Sequence, residues 1–422
     1  MISGFVKTIV PLCLLFTSFQ NSYSAENHDT IAFREKSYEL IIQDSPVGLM
    51  TMRQSNVNYL SVYRLLSDEL YKLVKSPGIA RLIQAAASYY LVPLTHEEGH
   101  RSILTALNIG SISQPLFNLD GVAYVNGVRD SELMKLRHEN LPAYIRLHTA
   151  GIESDYMLAK RAEEAIFFKK EDYRLLFVEI YMRRLSAMTY FASSLIPLAK
   201  PFIEENENDL LNDIVGHDVY GAIKHLHRPN DPFKRYNFYN DIREEEKPFL
   251  RRIGLRSLLN LASPFFVRSL NLINKENFRL SVSSGYLMTP FGDHIDENFL
   301  IQINNKLNIH AYLRQFQNKN NWFMGAGAKL IDYEITRGLL TTIEGHFWSQ
   351  PENLSFTTTE SFVGGAVDLN LSYKLLKARS GNALSLSAGM IYKTKGYLPE
   401  EVMLGEHWGA RVGFTLHLMR ER

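Results

Sequence analysis

"HWGARVGFTLHL", residues 407–418, places Trp408, Ala410, Val412, Phe414, Leu416 and Leu418 on one side and Gly409, Arg411, Gly413, Thr415 and His417 on the other. A period of two is the signature of a strand whose two faces meet different surroundings. The same pattern recurs upstream. In "FVGGAVDLNLSYKLL" (362–376) Val363, Val367, Leu369, Leu371 and Tyr373 oppose Asp368, Asn370, Ser372 and Lys374. In "FLIQINNKLNIHAYLRQF" (299–316) Ile301, Ile303, Leu307, Ile309, Ala311 and Leu313 oppose Gln302, Asn304, Lys306, Asn308, His310 and Arg314. Similar segments begin near Phe278, Trp322, Leu339 and Ala383.

These segments predict an antiparallel β-barrel over residues 261–422 with about seven strands, or about eight if the 299–317 run folds back at Asn304-Asn305 or one strand precedes Phe278. Alternation alone does not say which face points inward. A soluble barrel hides its apolar face, and a membrane barrel hides its polar one. Strand length, Tyr and Trp near strand ends and polar hairpins such as "SQPENLSFTTTE" (349–360) favour the second. In these features the last third resembles a small outer-membrane β-barrel of Gram-negative bacteria. It departs from that pattern in ending on Arg422 rather than on an aromatic residue. The resemblance implies outer-membrane lipid as a partner and a periplasmic location for what precedes the barrel.

The opening segment supports export. Lys7 precedes an apolar stretch from Thr8 to Phe16, and Ser22 and Ser24 occupy the small-residue positions of a cleavage site. This predicts a secretory signal peptide over residues 1–24, too short in its apolar core to span a bilayer. The one cysteine, Cys13, lies inside it, so the mature chain would have no thiol to oxidise. With a formal net charge of +1 and no basic run interleaved with aromatics, the chain does not read as a nucleic-acid binder.

From 25 to 260 the period is mostly helical, as in "SVYRLLSDELYKLVK" (61–75) and the run from Asp155 to Ile196. The apolar run 79–94 carries Arg81, Gln84 and Pro93, which suits a buried or amphipathic helix rather than a membrane span. A small hairpin is expected between Gly121 and Gly127, and a linker at 228–254, rich in Pro, Asn and charge clusters. The expected architecture is thus α+β and multidomain: a mostly α-helical N-terminal metal-hydrolase domain, then the barrel.

The chemistry lies in "LVPLTHEEGH" (91–100). On a helix His96 and His100 stand one above the other and can present imidazole nitrogens to one ion. Zinc suits neutral imidazole and tetrahedral geometry. Glu97 beside them can take a proton from water and hand it to a leaving amine, so HExxH carries a mechanism. Thr95 and Glu98 also read as a capping box, which makes Glu98 a helix-start signal. Gly99 is poor for a helix interior, and another backbone packed tightly beside it would explain the choice.

The motif resembles that of the zincin metallopeptidases. Glycine before the second histidine is similar to the intramembrane zinc proteases, which take a third ligand from a later Asp. Asp120, in "FNLDGVAY", comes too soon after His100 for that role. The gluzincins with E-x-x-x-D take a Glu on a later helix. "LHTAGIESDYMLAKR" (147–161) offers Glu153, about fifty residues on, although position 157 is Met rather than Asp. The resemblance implies a Zn2+ site of His96, His100 and Glu153, with Asp155 as alternative ligand or as support for a histidine. His148, His217 and Asp218 are candidates for supporting or substrate contacts, whereas His225 and His227 are expected to face solvent or the linker. No G-x-S-x-G elbow, phosphate-binding glycine loop or catalytic cysteine appears. The function expected is peptide hydrolysis in the cell envelope. The alternatives are a zinc hydrolase of an envelope lipid or glycan, and a non-catalytic barrel with a periplasmic binding domain.

Overall fold

The 299–317 run does fold back at Asn304-Asn305. Both residues adopt positive φ, 52° and 54°, and Ile303 pairs with Leu307 across the turn. Asparagine tolerates this left-handed backbone, which matches the twist of the strands it joins. The computed structural model describes residues 34–420 except 47, 49, 119–120, 198–204 and 268–269. The expected signal peptide, Cys13 and Asp120 lie outside the described residues.

In chain order the elements begin with β1 (Arg34–Gln43), α1 (Met52–Leu73) and α2 (Pro77–Ala106). A short pair follows, β2 (Ile112–Gln114) and β3 (Tyr124–Asn126), so the run between Gly121 and Gly127, expected to form a small hairpin, instead pairs with a segment upstream of it. Next come α3 (Asp130–Glu139), α4 (Leu141–Phe167), α5 (Tyr173–Ser193), α6 (Asp218–His227) and α7 (Lys247–Arg256). The rest is strand: β4 (Ile273–Lys275), β5 (Phe278–Thr289), β6 (Gly292–Ile303), β7 (Leu307–Gln317), β8 (Trp322–Thr336), β9 (Leu339–Pro351), β10 (Ser361–Lys377), β11 (Ala383–Lys393) and β12 (His407–Arg420).

The expected architecture needs correcting in three respects. The sheet has ten strands, in the order β1-β12-β11-β10-β9-β8-β7-β6-β5-β4. It is open, because β1 and β4 end it without pairing to each other among the described residues. It is also not confined to the C-terminal part, since β1 pairs antiparallel with β12, Tyr38 opposite Leu416. The helices do not form a separate N-terminal body. They pack into the sheet: α4 lies against β5, and α1 against β1.

Side-chain amides bond backbone groups on the edge strand β1 and on β5 beyond the stretch paired with the short β4. On β1, the Asn58 amide accepts from Ile41 N–H and donates to Ile41 O, and Gln54 donates to the carbonyls of Ile41 and Ile42. On β5, Asn260 accepts from Tyr286 N–H and donates to Tyr286 O. Backbone groups at a sheet edge otherwise stay open to pairing with another chain.

The face turned toward α4 is the polar one. Asp296 on β6 meets Lys160 of α4 at 3.0 Å and Arg314 of β7 at 2.7 Å. Glu164 accepts from His310 Nδ1 at 2.7 Å, and Arg161 pairs with Glu400. All these groups sit between helix and sheet, with a cavity among them large enough for a few waters. In the opening stretch Thr415 and His417 are buried, and Trp408 and Val412 point out.

Candidate metal centre

Helix α2 runs unbroken through Pro93 and Thr95. Proline removes the N–H that would bond Tyr89 O. The two carbonyls just before the proline carry an extra bond from α5, Arg183 donating to Val92 O at 2.8 Å and Leu91 O at 3.2 Å. Thr95 and Glu98 are therefore mid-helix and start nothing; Glu98 pairs with Arg101.

Beyond the proline, His96 and His100 face α4 and the first turn of α6. His96 Nε2 lies 3.4 Å and His100 Nε2 3.6 Å from Oδ2 of Asp218. These three ligand atoms lie within 4.8 Å of one another, all on buried residues. The opposite ring nitrogens are occupied. His96 Nδ1 stands 3.0 Å from Oδ2 of Asp155, and His100 Nδ1 stands 2.6 Å from Leu147 O. With both Nδ1 atoms beside acceptors, the neutral form of each ring would turn its free Nε2 toward Asp218, whose Oδ2 has no hydrogen-bond partner. Two lone pairs and a carboxylate oxygen converging in a buried site form a donor set that suits a cation. The group can hold a metal ion.

Two glycines make room for it. A Cβ on Gly151 of α4 would overlap the Nε2 atoms of both histidines, and a Cβ on Gly99 would run into Ala150 O. The close backbone expected beside Gly99 is thus α4. Asp155 is held in turn by Arg183, which donates at 2.6 Å, and by Ser186 Oγ, which donates at 3.0 Å. Tyr190 stacks on His96 with ring centroids 5.2 Å apart.

Acidic groups crowd the site. Glu97 is buried, and burial pushes its carboxyl well above the usual range; His96 works against this, and Asp213 and Asp218 add to it. Burial together with Asp218 pushes Asp213 up to about 7. Burial favours neutral Asp218 too, but His100 and His96 outweigh it and hold the carboxyl below its ordinary value.

The other sequence candidates fall into two sets. His217 caps α6 beside the site, stacked on Tyr220 at 4.1 Å. His148 is buried one turn before Gly151; a Cβ on Gly221 of α6 would overlap its ring. His225, expected at the surface, is buried at 0 % exposure, 6.0 Å from His148 between ring centroids. His227 packs against Phe356. Glu153 is not in the three-residue group. Its carboxylate accepts from Arg146 at 2.7 Å, from Glu400 N–H at 2.7 Å and from Tyr397 Oη at 3.2 Å, and so anchors the β11–β12 connection to α4. Asp213, Tyr190 and Gly151 were not singled out in the sequence. A glycine one turn ahead of Asp155, in a helix that must cross α2, is the one signal that could have marked Gly151.

No protein-family model matches the chain, and no curated protein matches it either.

Proposed function

We propose that the chain is a zinc-dependent hydrolase of the metallopeptidase type, with His96, His100 and Asp218 as ligands and Glu97 as the proton carrier. The observation that carries this reading is the convergence of two Nε2 atoms and one orphaned carboxylate oxygen, with both Nδ1 atoms tied back to acceptors. Two histidines and an aspartate form the donor pattern described above for the intramembrane zinc proteases rather than the glutamate pattern of the gluzincins. A bound zinc ion would supply Lewis acidity toward a scissile carbonyl and toward water. Glu97, next to the first histidine and buried, takes the proton of the attacking water and returns it to the leaving amine. Asp155 holds the His96 ring in the tautomer that leaves Nε2 free.

The test is metal analysis of the purified chain beside cleavage of casein and of envelope proteins. One zinc per chain, with Glu97→Gln keeping the metal and losing activity by roughly a hundredfold or more, is the expected result. Wild-type cleavage no faster than that of Glu97→Gln would refute the peptidase reading. Hydrolysis of envelope lipid or glycan by the wild type alone would move the substrate class and leave the metal site in place.

A further inference from the structure

The polarity of this body is inverted on two flanks at once. On the sheet, the strands β8 to β12 turn aliphatic residues outward: Val367 is 58 % exposed, and Ile343, Leu386, Met390 and Val412 are also exposed. Their alternate neighbours, such as Asp368, Ser385, Ser387 and Thr415, are buried. On the helical flank, Leu66 of α1 and Leu82 of α2 are 61 % and 62 % exposed. Val62, Ile79, Ile83 and Tyr90 continue that surface, and Arg64, Ser67, Gln84 and Ser88 are buried behind it. A helix or strand in water does the opposite.

We propose that these two flanks, the outer face of β8–β12 and the outer face of α1 and α2 from Val62 to Tyr90, are seated in the hydrocarbon of a phospholipid bilayer. Aromatic rows bound the sheet flank. Trp322, Tyr392 and Trp408 lie at one end, with Tyr392 opposite Trp408 in register. Tyr333 and Tyr373 lie at the other end, where Tyr333 pairs with Thr341 and Tyr373 with Leu339. About ten residues separate the rows along a strand, roughly 33 Å of chain or roughly 25 Å of height at a 40° tilt. That height is the apolar band of a membrane-embedded sheet, and tryptophan and tyrosine favour its borders.

An open sheet is excluded from lipid only where its edge groups go unsatisfied. Here Gln54 and Asn58 of α1 bond the backbone of Ile41 and Ile42 on β1, and Asn260 bonds that of Tyr286 on β5, so part of what strand-to-strand closure would satisfy is met from the helical side. None of the described helices is long and apolar enough to cross a membrane by itself. The helical flank needs only one apolar side, because the polar side rests on α4 and α5. A single protein partner would cover one patch, and this apolar surface covers two flanks of the body. His96 and His100 lie on α2 beyond its apolar stretch, and Asp218 meets them from α6.

The three tryptophans test this directly. Trp408 is 68 % exposed on the outer face, Trp322 is exposed at the same end of the sheet on β8, and Trp348 is buried at 2 %. The full chain is reconstituted in phosphatidylcholine vesicles with brominated or ordinary acyl chains. The wild type should lose at least half of its tryptophan emission in brominated lipid. Trp322→Phe/Trp408→Phe, which keeps only Trp348, should lose little. Adding Leu82→Trp to that double variant should restore quenching from the helical flank. Equal wild-type emission in the two lipids would overturn the proposal. So would a purified chain that stays soluble without detergent, as a monomer or as a dimer buried on this face. Quenching of Trp408 without quenching of Leu82→Trp would overturn it for the helices.

Discussion

Asp155 and His96 face each other across the α2–α4 crossing, carboxylate Oδ2 to ring Nδ1 at 3.0 Å, and the same carboxylate is gripped by Arg183. The pair decides which nitrogen of His96 is free. Removing the acceptor lets the imidazole rotate or change tautomer, and such supporting partners are worth about 10–100-fold in metal affinity. Asp155→Ala should weaken zinc binding by that factor, measured by competition with a chromophoric chelator. Asp155→Asn, which keeps one acceptor oxygen, should retain more affinity than Asp155→Ala. Equal affinity in both variants and the wild type would remove Asp155 from the site.

Gly151 gives a steric test. A methyl group there would occupy the space of both Nε2 atoms. Gly151→Ala should therefore abolish stoichiometric metal binding by pushing the two rings apart, although alanine is the better helix former. Gly345, where a Cβ would meet nothing, is the matched control. Full metal occupancy in Gly151→Ala would mean that the ion does not sit between the rings.

The buried pair His148 and His225 should make the protein acid-sensitive. Burial pushes both rings down, His148 to about 3 and His225 to about 2, and neither ring has a hydrogen-bond partner for its nitrogens. An unfolded histidine titrates near 6.5. Between about pH 6.5 and about pH 3 the unfolded chain binds protons that the folded chain refuses, so stability falls as the pH is lowered through this window. The slope is up to about 1.4 kcal/mol per pH unit for each ring. His225→Phe should keep the edge-on contact with Tyr144, 5.1 Å between ring centroids, and should remove roughly a quarter of the loss of melting temperature between pH 6.5 and pH 4, because burial pushes His217 and His294 down as well. An unchanged pH slope would refute the assignment.

How much of this was legible in the sequence depends on how local the signal is. The β6–β7 hairpin was readable because Asn304-Asn305 sits inside one alternating run. The metal pair was readable because His96 and His100 are one helical turn apart. The partner of β1 was not, since "REKSYELIIQ" lies hundreds of residues from β12 and its register is set by the assembled sheet. Closure failed as an expectation for the same reason. The alternation is that of a barrel strand, but the residues that bond the backbone of β1 and β5, Asn58 and Asn260, lie on other elements. Thr95 and Glu98 suggested a helix start because the T-x-x-E pattern is local, and nothing nearby shows that the helix already runs through Pro93 with Arg183, far along the chain, bonded to its Leu91 and Val92 carbonyls. Glu153 drew attention by spacing from the histidines. Its role is decided by Arg146, Tyr397 and Glu400, two of which come from the last stretch of sequence.

Glu153 and Asp218 can be separated by one paired experiment. Glu153 is buried with Arg146, and both are closed off from water. Removing one member of such a pair leaves an uncompensated charge, which costs about 3–5 kcal/mol. Glu153→Gln should therefore lower the unfolding midpoint strongly and still bind zinc at one per chain. Asp218 faces the two imidazoles, which hold its carboxyl below its ordinary value. Asp218→Asn removes that pairing and should lower the stability of the metal-free fold as well, and it should lose more zinc affinity than the roughly 10–100-fold cost of losing a supporting residue. Thermal unfolding of the metal-free proteins and zinc titration of both variants give four numbers. If Glu153→Gln loses the metal while Asp218→Asn keeps it, the ligand set is His96, His100 and Glu153, and the side chains around α4 must rearrange when the ion enters.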